Sequence, residues 1–179
     1  MEPVYQPAED SYLLLRHVER MVSGDVLDMG TGSGVQAVAA AQKQEVTSVT
    51  AVDMNPAALV EAEKRGKAAG VLGKMMFNLS DLFSCVEGVF DWIIFNPPYL
   101  PSEGGADEAS WSGGAEGGSL IRRFLAEARC YLKPAGSILM VYSSLTSLEE
   151  KDFEGYSVEV LEEMPIFYET LTCVRLTPS

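Results

Sequence analysis

The sequence predicts an α/β fold: a doubly wound, mostly parallel sheet of seven strands with one antiparallel strand. Three observations predict it. Apolar strand-like runs alternate with helix-like stretches through most of the chain. The first run ends in Gly30, Gly32 and Gly34, spaced by single residues, and a helix-compatible stretch follows. The last two runs follow each other with no helix between them, which makes one of them antiparallel.

The elements follow in order. Residues 9–22 read as a helix, with Leu13, Leu14, Val18 and Met21 on one apolar stripe. Strand one covers about 25–29 and the next helix about 34–42. Strand two covers about 48–53. Asn55 then caps a helix that Pro56 opens and Gly70 stops after Ala69. Strand three is Lys74-Met75-Met76-Phe77-Asn78, and strand four is Phe90 to Phe95. Six glycines between 101 and 119 mark a loop. A helix over about 119–132 is ended by Pro134. Strand five covers about 137–143, a short helix about 146–152, and the closing strand pair about 156–162 and 168–176.

At 179 residues the chain is expected to form one domain over 1–179. No basic start precedes an apolar stretch, and no apolar run reaches the roughly 18 residues of a membrane span. Cys85, Cys130 and Cys173 are widely spaced and are expected to be buried, reduced thiols, so a cytoplasmic location is expected. The net charge of −13 argues against direct nucleic-acid binding, which rests on Lys and Arg contacts to phosphate. Lys64-Arg65 with Lys67, and Arg122-Arg123, are read as solvated helix faces. His17, the only histidine, is read as a surface residue, and no metal site is expected.

The most informative stretch is Asn96-Pro97-Pro98-Tyr99, directly after the apolar run of strand four. Neither proline can extend a sheet ladder, so the strand stops in a stiff elbow. Asn96 then projects from a carboxyl end, where open α/β sheets bind ligands. An amide acceptor and an aromatic ring on a rigid turn suit a planar group carrying NH2. Upstream, the glycine turn allows close approach of backbone to a ligand. Its spacing departs from the dinucleotide pattern, because Val35 stands where the third glycine of that pattern would. Asp53, at the end of strand two, is placed to accept from ribose hydroxyls, and Asp28 adds a second acid beside the turn. Two acids suit a cationic ligand better than a pyrophosphate.

These motifs resemble those of class I S-adenosylmethionine-dependent methyltransferases. More narrowly, the chain resembles the HemK-type protein-glutamine N5-methyltransferases in their short archaeal and eukaryotic form. The resemblance rests on Val4-Tyr5-Gln6-Pro7-Ala8-Glu9-Asp10-Ser11 with Leu13-Leu14-Leu15, the glycine turn, Asp53-Met54-Asn55-Pro56, Asp81-Leu82 and Asn96-Pro97-Pro98-Tyr99, in family order. Gly113-Gly114 to Gly117 and Arg123-Phe124-Leu125 are similar to the family's glycine segment and the helix after it. The segment from Pro101 to Ser119 matches only loosely. The N-terminal helical domain of bacterial members, which binds release factors, is not expected in this chain.

The resemblance implies S-adenosylmethionine as cofactor, held by Ser11, Asp28, Gly30, Gly32, Gly34, Asp53, Asp81, Leu82 and Asn96. Asp81 would accept from the adenine amino group. Asn96, Pro97 and Tyr99 would form the catalytic elbow, with Asn96 Oδ1 and the Pro97 carbonyl each accepting an N–H of the substrate amide. A methyl on a sulfonium is already activated, so the enzyme has only to hold the acceptor nitrogen in line at roughly 3–3.5 Å. The implied substrate is a glutamine in the Gly-Gly-Gln loop of a class I release factor. The same four residues serve exocyclic amines of DNA or RNA in related enzymes, and that alternative stays open. A catalytically silent scaffold subunit is the third reading, against which the intact elbow argues. The resemblance also implies a small zinc-binding activator protein paired at the strand-three edge, at Met75, Met76 and Phe77.

Overall fold

The computed structural model describes residues 4–98 and 113–179. In chain order the elements are α1 (Glu9–Met21), β1 (Gly24–Met29), α2 (Val35–Gln42), β2 (Val46–Asp53), α3 (Pro56–Ala68), β3 (Met75–Leu79), β4 (Phe90–Phe95), α4 (Gly113–Ala128), β5 (Leu132–Ser143), β6 (Tyr156–Ile166) and β7 (Glu169–Pro178). The strands form one sheet in the order β3-β2-β1-β4-β5-β7-β6. The first five in that order are parallel to one another, and β7 runs antiparallel to both β5 and β6. The expected fold class is therefore the observed one.

Chain order reverses at β1, which pairs with β2 on one side and β4 on the other. That reversal opens a crevice at the carboxyl end of the sheet. Register places the crevice residues level with each other. Met29 lies opposite Val52 on one side and Phe95 on the other. Gly30 and Asn96 follow directly after β1 and β4, level with Asp53, the last residue of β2, which is still paired with Leu79 of β3.

Both faces of the sheet are buried, as a parallel sheet requires. Leu13, Leu14 and Val18 of α1 pack with Ala37, Val49, Ala51, Ile94 and Leu139 on one face. Leu27, Met29, Ile93, Phe95 and Ile138 pack with Phe83 and Phe124 on the other. There the Phe83 ring stacks between Tyr131, at 4.4 Å, and Phe124, at 5.5 Å. Burying an aromatic side chain of this size contributes about 1.5–3 kcal/mol, so the loop carrying Phe83 is firmly seated. No helix among the described residues is long and apolar enough to cross a membrane.

Several local expectations are corrected. Helix α4 starts at Gly113, inside the stretch read as loop. Gly118 shows why a glycine stands within a helix here: a Cβ would come 2.8 Å from the Thr146 carbonyl oxygen, so the helix packs closely on that turn. The helix ends at Ala128, before a short 3-10 turn, and Pro134 lies exposed near the start of β5, where the register with β4 slips. The short helix expected over 146–152 is two 3-10 turns, Ser144–Thr146 and Glu150–Phe153. Between them Ser147 has φ +53°, which no right-handed helix accommodates.

His17 is buried, not on the surface; its Nε2 lies 3.0 Å from Glu162 Oε2 on β6. Its spacing from Leu13 and Leu14 places it on the buried stripe. Arg122 and Arg123 are exposed on α4, as read from the sequence, and pair there with Asp152 and Asp81. Cys85 and Cys130 sit exposed on short turns, and only Cys173 is buried. At the β3 edge the side chains alternate. Met75 is 8% exposed and turned into the core, whereas Met76 is 53% exposed. Met75 is thus removed from the expected partner surface, and Phe77 is partly buried against the core.

Candidate active site

A cavity of about 660 Å³ opens at the carboxyl end of β1, β2 and β4, with the start of α1 as its fourth wall. That volume suits a cofactor-sized ligand. It is lined by Ser11, Asp28, Gly30, Gly32, Asp53, Asp81, Leu82, Asn96 and Pro97, which brings together most of the residues singled out in the sequence. Two depart from expectation. Gly34 is not in the lining. It precedes α2 with φ +79°, and a Cβ would meet Ala62 at 2.7 Å, so this glycine serves helix packing. Tyr99 lies outside the described residues.

The glycine turn is tied to β2. The Thr31 N–H donates to the Val52 carbonyl at 2.9 Å. The Gly32 N–H donates to Asp53 Oδ2 at 2.9 Å, and the Asn55 N–H donates to Asp53 Oδ1 at 2.8 Å. Each Asp53 oxygen keeps further accepting capacity for a ligand hydroxyl. Gly30, with φ +64°, has nothing within 4 Å of where a Cβ would stand, so the turn presents bare backbone to the cavity.

Asp28 lies behind the turn, 2% exposed. Its Oδ2 accepts from the Thr31 hydroxyl at 2.6 Å and the Ala37 N–H at 3.1 Å. Burial pushes its carboxyl up to about 7; these hydrogen bonds pull it down, and the Asp53 charge adds to the rise. A cationic ligand nearby would favour the ionised form.

The far wall is a turn built around Ser80. Its hydroxyl donates to the Leu82 carbonyl at 2.7 Å and accepts from the Cys85 N–H at 3.0 Å. Leu82 adopts φ +46°, and Asp81 is paired with Arg123 at 3.2 Å while its side chain stays 54% exposed.

At the elbow, Asn96 Nδ2 donates to Asp10 Oδ2 at 2.9 Å and to Ser11 Oγ at 3.3 Å. Asn96 Oδ1 is buried and has no hydrogen-bond partner. Gln36 is arranged similarly: Nε2 donates to the Ser11 carbonyl at 2.8 Å, and Oε1 is buried without a partner. An unmet buried acceptor costs about 1–3 kcal/mol. Two such acceptors on the wall of one cavity, beside a glycine turn and four acids, Asp10, Asp28, Asp53 and Asp81, fit a ligand that brings N–H groups and positive charge. Among the described residues no cluster of three His, Cys, Asp or Glu could hold a metal ion.

Sequence reasoning missed Asp10, Tyr5 and Gln36. The readable signal for Asp10 was a carboxylate three and four residues before Leu13 and Leu14, on the buried stripe of α1.

A sheet of this order, with β7 reversed and the pocket at the turning point beside β1, is the class I methyltransferase fold. The chain belongs to the methyltransferase small domain family, whose model matches residues 8–164. It is 36% identical to a Methanocaldococcus jannaschii protein assigned as a protein N5-glutamine methyltransferase, over 96% of this chain and 90% of that one. It is 36% identical to a release factor glutamine methyltransferase of Koribacter versatilis, over 71% of this chain and 49% of the relative. It is 33% identical to a ribosomal RNA small subunit methyltransferase C of Mannheimia succiniciproducens, over 82% of this chain and 41% of the relative. The chain thus spans less than half the length of these two bacterial relatives. Its fold is similar to that of a ribosomal protein L11 methylase of Lactobacillus delbrueckii subsp. bulgaricus, with a TM-score of 0.67 at 22% identity, over 96% of this chain and 80% of that one.

Proposed function

We propose that this chain transfers a methyl group from S-adenosylmethionine to the side-chain amide nitrogen of a protein glutamine, in the Gly-Gly-Gln loop of a class I release factor. The observation that carries this reading is the Asn96 carboxamide, whose NH2 is taken by Asp10 and Ser11 and whose oxygen has no partner. The M. jannaschii relative, matched over nearly its whole length, supports a glutamine substrate. The opening segment from Val4 to Leu15 supports the same branch.

The cofactor would be held by the glycine turn, Asp53 and Asp81-Leu82, with Asp28, Ser11 and Gln36 around its charged end. When bound, it supplies an activated methyl group. The protein's part is orientation. An amide nitrogen is a poor nucleophile because its lone pair is delocalised into the carbonyl. Asn96 Oδ1 and the Pro97 carbonyl accept the two N–H groups of the substrate amide and aim its nitrogen. Both acceptors favour the positive charge that develops on nitrogen. Asn96 Oδ1 is enclosed in this structure, so the reading requires the wall around it to open for the substrate NH2. The charged nitrogen then loses its proton to water without a protein base.

A second reading, methylation of an exocyclic amine of RNA or DNA, has support in the ribosomal RNA relative. The net charge of −13 weighs against it. We assign the β3 edge, through Met76, to a small zinc-binding activator protein, and the cytoplasm as the place of action.

Labelled S-adenosylmethionine added to the purified chain, with release factor, tRNA and DNA in parallel, tests the reading. Label is expected in the release factor alone, on the glutamine of its Gly-Gly-Gln loop. Label confined to nucleic acid would overturn the glutamine assignment.

A further inference from the structure

We propose that Asp10 is a positioning residue for this reaction: its carboxylate fixes which end of the Asn96 carboxamide is left for the substrate. This deepens the reading above, in which Asn96 meets a planar NH2.

A carboxamide has two ends of similar size, and a half-turn exchanges acceptor for donor. Shape alone therefore cannot keep Asn96 Oδ1 available; the chemistry of its neighbours must. Ser11 cannot decide, because a hydroxyl both donates and accepts. A carboxylate can, because it has no hydrogen to give. Asp10 Oδ2 lies 2.9 Å from Asn96 Nδ2, and turning the amide would set two oxygens against each other. The other oxygen, Oδ1, accepts from the Tyr5 hydroxyl at 2.8 Å and from Ser11 Oγ at 3.4 Å. Burial and the neighbouring Asp10 raise the tyrosine's pKa, so it remains a donor.

Asp10 could be a plain first-turn acid that complements the dipole of α1. An exposed acid would serve that purpose at no desolvation cost. Asp10 is instead 3% exposed, lines the cavity, and forms no ion pair with any Lys, Arg or His among the described residues. Its hydrogen bonds go to the catalytic amide and to the two hydroxyls that steady the carboxylate. The chain from Tyr5 through Asp10 to Asn96 thus joins the opening segment to the elbow 86 residues later.

The test uses the full chain and the variants Asp10→Asn and Tyr5→Phe. An asparagine at position 10 can turn either end toward Asn96, so the preference is lost. The first readout needs no substrate: exchange of the Asn96 side-chain NH2 with solvent in the nitrogen-15-labelled protein, assigned by its disappearance in Asn96→Ala. Asp10→Asn is expected to speed that exchange by about tenfold or more. The second readout is steady-state kinetics at saturating cofactor. There kcat is expected to fall on the order of 100-fold, with the cofactor KM within about threefold of wild type. Tyr5→Phe, which removes only the anchoring hydroxyl, should shift both readouts the same way by less.

Unchanged exchange and kcat in Asp10→Asn would overturn the proposal. So would a loss confined to the cofactor KM, which would make Asp10 a cofactor ligand. If Asp10→Asn does not fold, unchanged readouts in Tyr5→Phe overturn it instead. Failure of the wild-type chain to methylate a release factor would sink the proposed function, while the exchange result still decides the Asp10–Asn96 coupling.

Discussion

Asp53 closes the glycine turn onto the second strand: its Oδ2 accepts the Gly32 N–H at 2.9 Å. A carboxylate that lines the cavity is thus also the one that shapes the loop beside it. Asp53→Ala is expected to raise the cofactor KM far more than it lowers kcat at saturation, because it removes binding common to ground and transition state. A main effect on kcat at saturating cofactor would contradict the ribose assignment.

Asn96→Ala should do the reverse. Removing an acceptor aimed at the reacting nitrogen is expected to cost about 3 kcal/mol or more of transition-state stabilisation. Cofactor affinity by calorimetry should stay within about tenfold. Lost cofactor binding with intact turnover at saturation would show that Asn96 serves the cofactor instead.

The buried Asp28 sets a pH dependence. Unfolded, this carboxyl loses its proton near 3.8; folded, it holds it up to about 7. Between those values the folded state binds more protons. Its contribution therefore falls as pH rises through that window and levels off above it. Denaturant unfolding of the ligand-free protein at about pH 5 and pH 8, compared with Asp28→Asn, reads this. The wild type should lose stability relative to the variant at the higher pH; parallel pH dependence would rule the shift out.

Two glycines of one turn should separate stability from binding. At Gly34 a Cβ would strike Ala62, and the backbone is left-handed. Gly34→Ala is expected to cost about 3 kcal/mol of stability. Gly30→Ala meets no atom and should cost about 1–2 kcal/mol for its backbone strain. Its methyl group would face the cavity, so cofactor affinity should drop more in this variant. Melting temperatures and calorimetry on both variants check the order.

Met76→Lys should leave folding unchanged, since Met76 is 53% exposed at the sheet edge. It should weaken the complex with the activator by about tenfold or more, because a charge would be desolvated at the interface. Equal affinity for both chains in a titration would move the partner off this edge.

The strands were legible because each buried strand is a continuous apolar run and each stop carries its own chemistry: glycine at 30, acid at 53, amide at 96 and proline at 97. Contacts across the fold were less legible. Asp10 looks like an ordinary helix-start acid until α1 is laid against β4. His17 finds Glu162 only because β6, 145 residues further along the chain, lies at the outer edge of the sheet. Gly34 shared a motif with Gly30 and Gly32, and only the packing of α3 on α2 separates its role from theirs. The glycine at 118 fits α4 closely against the Thr146 turn, a match between segments that no local pattern encodes.

The common row of Met29, Val52 and Phe95 has a mechanical consequence. Gly30 and Asn96 hang at one level from adjacent strands, so their spacing is fixed by backbone pairing before any side chain is chosen. A slip of a single rung between β1 and β4 would displace one against the other by about 3.3 Å. That is as long as the gap a methyl group must cross. Alignment here is thus all or nothing, and substitutions in the buried strands should silence the enzyme when they shift register and leave it working when they merely loosen packing.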